Sequence, residues 1–195
     1  GLGVNVGALL PFSPLRGYLL GMIPARERRS VTEKELNQMK EMFYDAMKAG
    51  AFGWSADKDG EDRPEDGGFL PSHIASDTEY LALSEVLGQF GVGHIGWTVG
   101  VRTLFDDRPE QEKLLVQMMQ LSGRQAHVNF GGHDPNPWLE SVRAQGFPAV
   151  AQQGTVFPEN IFKLSEFNRF DLYPNWVQPF VGTPEERAVK LKDPT

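Results

Sequence analysis

The chain has 195 residues, of which 40% are hydrophobic and 23% charged, with a net charge of −7. That length suits one domain with a substantial core, and the acidic balance argues against a nucleic-acid backbone or an anionic membrane surface as partner. There is no cysteine, which excludes disulfides, thiolate metal sites and a Cys nucleophile and fits a reducing, cytoplasmic setting.

Taken in order, Gly1 leads directly into Leu2-Gly3-Val4-Asn5-Val6, which reads as a strand. Thr32-Glu33-Lys34-Glu35 is a capping box that opens a helix, with Leu36, Met39, Phe43 and Met47 on one apolar stripe and Gly50 as its stop. Ala51 to Ser55 follow as a short buried strand. Residues 56–76 turn polar, acidic and Gly/Pro-rich, which reads as a solvated loop; its carboxylate spacing lacks the alternation of a calcium loop.

Ser76-Asp77-Thr78-Glu79 is a second capping box, opening a helix whose core face is Tyr80, Leu83, Val86, Leu87 and Phe90. Gly93 to Val99 is the next strand. Arg108-Pro109-Glu110 starts a third helix, with Leu114, Leu115, Met118 and Leu121 as its apolar face. Gln125 to Phe130 alternates as a strand, Gly131 to Asp134 forms a turn, and a short helix carries Trp138, Leu139 and Val142. Phe147 to Ala151 is a further strand. A helical candidate at Glu159 to Phe167 and an aromatic tail with Tyr173, Trp176 and Phe180 complete the chain. Both ends look cut rather than finished. No run approaches the ~18–20 apolar residues of a membrane span, and no signal peptide is visible.

Strands alternating with helices predict an α/β fold with a parallel sheet, as a partial (β/α)8 TIM barrel of about five βα units or a doubly wound sheet. A complete barrel needs ~250 residues, so 1–195 is expected to be a single domain and an incomplete portion of one. In such sheets chemistry sits at the carboxyl ends of the strands.

Several segments resemble the N-acyl-D-amino-acid deacylases (D-aminoacylases) of the amidohydrolase superfamily. Asn5-Val6-Gly7-Ala8-Leu9 with Leu15-Arg16 is similar to the family's "NVxxLxxxxxLR" stretch. Thr32, Glu35 and Met39 match "TxxExxxM", and Ala49 to Ser55 match "AGAxGxS". Leu191 with Asp193-Pro194 resembles "LxDP". The resemblance implies a TIM-barrel hydrolase that cleaves a C–N amide bond in N-acyl-D-amino acids with metal-activated water, zinc being the implied metal. The departures concern that metal. No His-x-His occurs, Phe12 stands where members often carry histidine before "LR", and Trp97, Phe130 and Gly131 stand where further histidine ligands belong.

His133 and Asp134 follow a strand directly, which places them at the catalytic face as candidates for general acid/base work, His133 also for metal ligation. The alternative is that Asp134 caps the helix beginning at Pro135. His127 is a second candidate metal ligand or a packing residue, and His94 and His73 read as packing and surface residues. Arg16 is a candidate clamp for a substrate carboxylate, or else part of a surface ion pair. Ser55, at a strand end, is a candidate substrate contact. Without a G-x-S-x-G elbow it is not a nucleophile. The expected partners are a small-molecule amide and either another chain or the remainder of the barrel, giving an oligomer. The rival expectation is a non-catalytic barrel subunit that assembles with another chain.

Overall fold

The computed structural model describes residues 3–28, 30–58, 62, 64, 68–99, 108–129, 136–152, 161, 163 and 182–192. Its centre is a parallel sheet of strands β1 (Leu10–Pro11), β2 (Gly53–Asp57), β3 (His94–Thr98), β4 (Ala126–Asn129) and β5 (Ala149–Gln152), hydrogen-bonded in sequence order. Helices α1 (Phe12–Leu20), α2 (Met22–Glu27), α3 (Glu33–Lys48), α4 (Pro71–Ile74), α5 (Asp77–Gly88), α6 (Arg108–Ser122) and α7 (Asn136–Ala144) alternate with the strands; α8 (Pro184–Lys190) follows the sheet. Strand order equal to chain order is the topology of consecutive barrel staves, which confirms the expected α/β class with its five strands. The described strands do not close into a barrel: β1 and β5 are both edges.

Local chemistry explains the clearest helices. Thr32 Oγ1 accepts from the Glu35 amide at 3.3 Å while a Glu35 carboxylate oxygen accepts from the Thr32 amide at 2.8 Å, so the capping box forms as expected. The stripe of α3 buries Met39, Phe43 and Met47. At the start of α5, Glu79 Oε1 accepts from the Ser76 amide at 3.0 Å. Helix α5 buries Tyr80, Leu83, Val86 and Leu87 against α3 and α6. These faces and the sheet residues Trp54, Ile95, Trp97, Ala126, Val128 and Ala149 form one continuous core.

Several boundaries differ from the expected ones. Within the expected first strand, the described residues Gly3 to Val6 are not a strand: Val4 and Val6 are exposed, and pairing to β2 begins only at Leu10. Strand β2 runs from Gly53 to Asp57 rather than from Ala51 to Ser55, because Gly53, not Ala51, pairs with His94. On α6 the buried residues are Leu114, Leu115, Met118 and Met119, while Leu121 is exposed. Helices α1 and α2, not anticipated, occupy a stretch punctuated by Pro14, Gly17 and Gly21; α8, also missed, carries a third capping box between Thr183 and Glu186. The expected helix at 159–167 and the aromatic tail lie outside the described residues. No described helix is long and apolar enough to cross a membrane.

Candidate functional site

Side chains alternate across a strand, so the core-facing residues determine which ones point away from the helices. Trp54, Ala56, Ile95, Trp97, Val99, Ala126 and Val128 belong to the buried core. Ser55, Asp57, His94, Gly96, Thr98, His127, Asn129, Val150 and Gln152 therefore belong to the inner face of the sheet. Parallel register sorts these into rows: Ser55, Gly96, His127 and Val150 are mutual neighbours, and one step closer to the carboxyl ends stand Asp57, Thr98, Asn129 and Gln152. The row at the strand ends is wholly polar.

A cleft of about 360 Å³ opens at this end of the sheet. Its walls include Pro11 and Ser13 where β1 passes into α1, Ser55, Asp57 and Thr98 on the inner face, and Gln152 from β5. Gly96 forms part of the floor: a Cβ there would meet the Ser55 Cβ at 3.0 Å and the Leu9 side chain at 3.1 Å. Glycine thus keeps that part of the cleft open. One wall is pinned by hydrogen bonds. Ser13 Oγ donates to Ser72 Oγ at 2.9 Å, the Ser72 amide donates to Ser13 Oγ at 3.1 Å, and the buried Tyr80 hydroxyl donates to the Ser72 carbonyl. Burial and the neighbouring Glu79 charge push the Tyr80 hydroxyl well above its ordinary pKa, so it stays a donor. Its ring lies edge-on to Trp97 at 5.1 Å and carries the Lys58 ammonium 5.0 Å from its centroid.

Ser55 sits in this cleft. Arg16 does not. Its guanidinium is fully buried in the helix layer, with Nε 2.6 Å from Glu79 Oε2 and the terminal nitrogens donating to the carbonyls of Ala25 and Arg28. The expected substrate clamp is therefore a structural ion pair, internal rather than superficial. It joins α1, α2 and α5, because a charge at that depth requires a partner.

His73 lies on α4, buried, its Nδ1 accepting from the Leu70 amide at 3.3 Å. His133 and Asp134 lie outside the described residues. Trp97, the position matched to a family metal ligand, points into the helix layer; the inner-face residue at that strand end is Thr98. His127 is stacked on His94, centroids 4.1 Å apart and planes 22° apart, with its Nε2 2.7 Å from Gln125 Nε2. Among the described residues no group of three His, Cys, Asp or Glu side chains could hold a metal ion. The described donors of the cleft, Asp57 and Asp62 among neutral amides and hydroxyls, do not fit a metal centre, and His127 stands in no such group among the described residues. Sequence reasoning missed Asp57, Thr98 and Gln152. The available signal was the alternation itself: each directly follows a core residue at the end of its strand.

No protein-family description matches the sequence, and no curated protein does. Solved structures do. A D-aminoacylase variant in complex with copper chloride matches with a TM-score of 0.57 and 18% identity, covering 76% of this chain and 30% of that one. A D-aminoacylase structure addressing the role of its binuclear metal centre matches with a TM-score of 0.58 at the same identity and coverage. A third, described as defining a novel subset of amidohydrolases, matches with a TM-score of 0.57. The likeness establishes an amidohydrolase-like fold, and the chain spans about 30% of the length of these structures.

Proposed function

We propose that residues 1–195 supply consecutive βα units of an amidohydrolase-like barrel whose rim binds a small amide and supports hydrolysis of its C–N bond, with N-acyl-D-amino acids as the first substrates to test. The observation that supports this reading is the cleft at the carboxyl ends of a sheet whose strands run in chain order, with Ser55, Asp57, Thr98 and Gln152 in its walls, on a fold shared with D-aminoacylase. In it Ser55 contacts substrate from the inner face, while Asp57, Thr98 and Gln152 offer hydrogen bonds to the amide and its acyl group. His133 and Asp134 are assigned to proton transfer. Arg16 keeps the cleft wall in place from behind and takes no part in recognition. No metal is invoked, since the described residues do not provide its ligands.

The test is hydrolysis of a panel of N-acetyl-D- and N-acetyl-L-amino acids by the protein, with Ser55→Ala and Thr98→Val beside it. Turnover of the D-series, lowered roughly tenfold or more by either substitution as for loss of a bound polar contact, supports the proposal; no turnover by folded protein at any pH refutes it. The second reading, a barrel subunit without catalysis, is favoured by the lack of a three-ligand group among the described residues. It predicts amide binding without turnover.

A further inference from the structure

The inner face of the sheet carries one pair of ionisable rings that the proposed chemistry does not use. His94 opens β3 and His127 lies within β4, one strand over, and their imidazoles stack with centroids 4.1 Å apart. Both are half-buried. Neutral imidazoles stack as aromatic rings do. Two imidazolium ions at that separation repel, the more so where water is partly excluded.

Among the described residues, the groups around the pair offer nothing to offset that repulsion. On the inner face β2 presents Gly53 and Ser55, and β5 presents Val150 in register with His127. Gln125 is neutral. Arg124, in the turn before β4, is directed to the carbonyls of Gly91 and Gly123. No carboxylate on these neighbours faces either ring. The Gln125 contact adds to the effect: its amide nitrogen lies 2.7 Å from His127 Nε2, a pairing in which the amide donates to the neutral ring. Charging His127 sets donor against donor until the amide turns over.

We infer that the His94–His127 stack is an acid-sensitive latch: neutral, it closes β3 against β4 beneath the cleft, and charge on the stacked rings opens that seam. The position gives the latch a consequence for the site. Gly96, two residues after His94 and directly paired with His127, is the cleft floor. The hydrogen bonds at stake run from the Ile95 amide to the Gln125 carbonyl at 3.0 Å and from the Val99 amide to the Asn129 carbonyl at 2.9 Å. Burial and the adjacent His127 hold His94 below its ordinary value of 6.5, so the folded chain binds fewer protons than the unfolded one. The stabilisation is complete above 6.5 and is lost as the pH falls below it.

The test is amide hydrogen exchange of the full chain between pH 7.5 and 5, corrected for intrinsic rates, together with NMR titration of the imidazoles. His94→Phe and His127→Phe, which keep a stacking ring without its charge, are run beside it. The expected result is a severalfold loss of protection at Ile95 and Val99, while Phe43 in α3 keeps its protection. Either phenylalanine variant should abolish the loss, and His127→Phe should move the His94 titration upward. Loss of protection shared equally by Phe43, or an unchanged pH response in both variants, overturns the inference. If the variants do not fold, the wild-type comparison of Ile95 and Val99 with Phe43 decides the matter alone.

Discussion

Replacing Glu79 with alanine tests the role that the structure gives to Arg16. Both side chains are fully buried and paired at 2.6 Å. In Glu79→Ala the guanidinium keeps the Ala25 and Arg28 carbonyls but loses its counter-charge, a loss of about 3–5 kcal/mol for a buried pair broken on one side. The Ser76 amide at the start of α5 also loses its acceptor, which adds about 1 kcal/mol. The expected total of about 4–6 kcal/mol is a large part of the ~5–15 kcal/mol that holds a typical domain together. Arg16→Met with Glu79→Ala removes both charges and leaves only backbone groups to be resatisfied. That double variant should be more stable than Glu79→Ala, with a coupling of about 2–3 kcal/mol across the cycle. Urea unfolding at pH 7, followed by the fluorescence of Trp54 and Trp97 in the adjoining aromatic cluster, measures all four proteins. A cost below about 1 kcal/mol for Glu79→Ala, in the range of an exposed pair, or strict additivity in the double variant, would refute the buried-pair account of Arg16.

Thr32→Ala should destabilise the chain by about 1 kcal/mol through loss of the α3 cap. The Thr32 amide and hydroxyl hold the Glu35 carboxyl down at about 2 against an ordinary 4.5; its contribution is complete above 4.5 and is lost as the pH falls toward 2. Acid unfolding curves of the wild type and Thr32→Ala should therefore converge across that window. Gly53→Ala should abolish soluble folded protein, because a Cβ would collide with the His94 backbone and the residue sits at φ +116°; near-native circular dichroism and melting would contradict this. Tyr80→Phe removes the donor to the Ser72 carbonyl and should cost about 1–2 kcal/mol, with faster limited proteolysis near α4 as the local signature.

What could be read from the sequence divides by the range of the interactions. The Thr32–Glu35 box, the α3 stripe and the Gly50 stop are written within a few residues of where they act, and each stands in the structure as read. The succession of strands and helices was legible for the same reason, and with it the parallel sheet. Arg16 was not: its partner Glu79 is 63 positions away, and nothing adjacent to it in the chain distinguishes a guanidinium turned inward from one facing a ligand. Helix α1 was obscured by Pro14 and Gly17, residues tolerated there because the helix is held by its packing against α2, α3 and α4. The placement of Trp97 shows a subtler limit. Motif alignment brought it near a strand end, yet a displacement of one residue exchanges the two faces of a sheet.

The polar row Asp57, Thr98, Asn129 and Gln152 has a consequence for how such a protein changes over time. Each strand tip contributes one letter to the rim, and its neighbour one step back is turned the opposite way, into the hydrophobic interior. Exchanging a letter alters what the rim recognises while leaving the buried core behind it untouched. Specificity in this architecture is therefore editable position by position, with the scaffold acting as an indifferent carrier of the text.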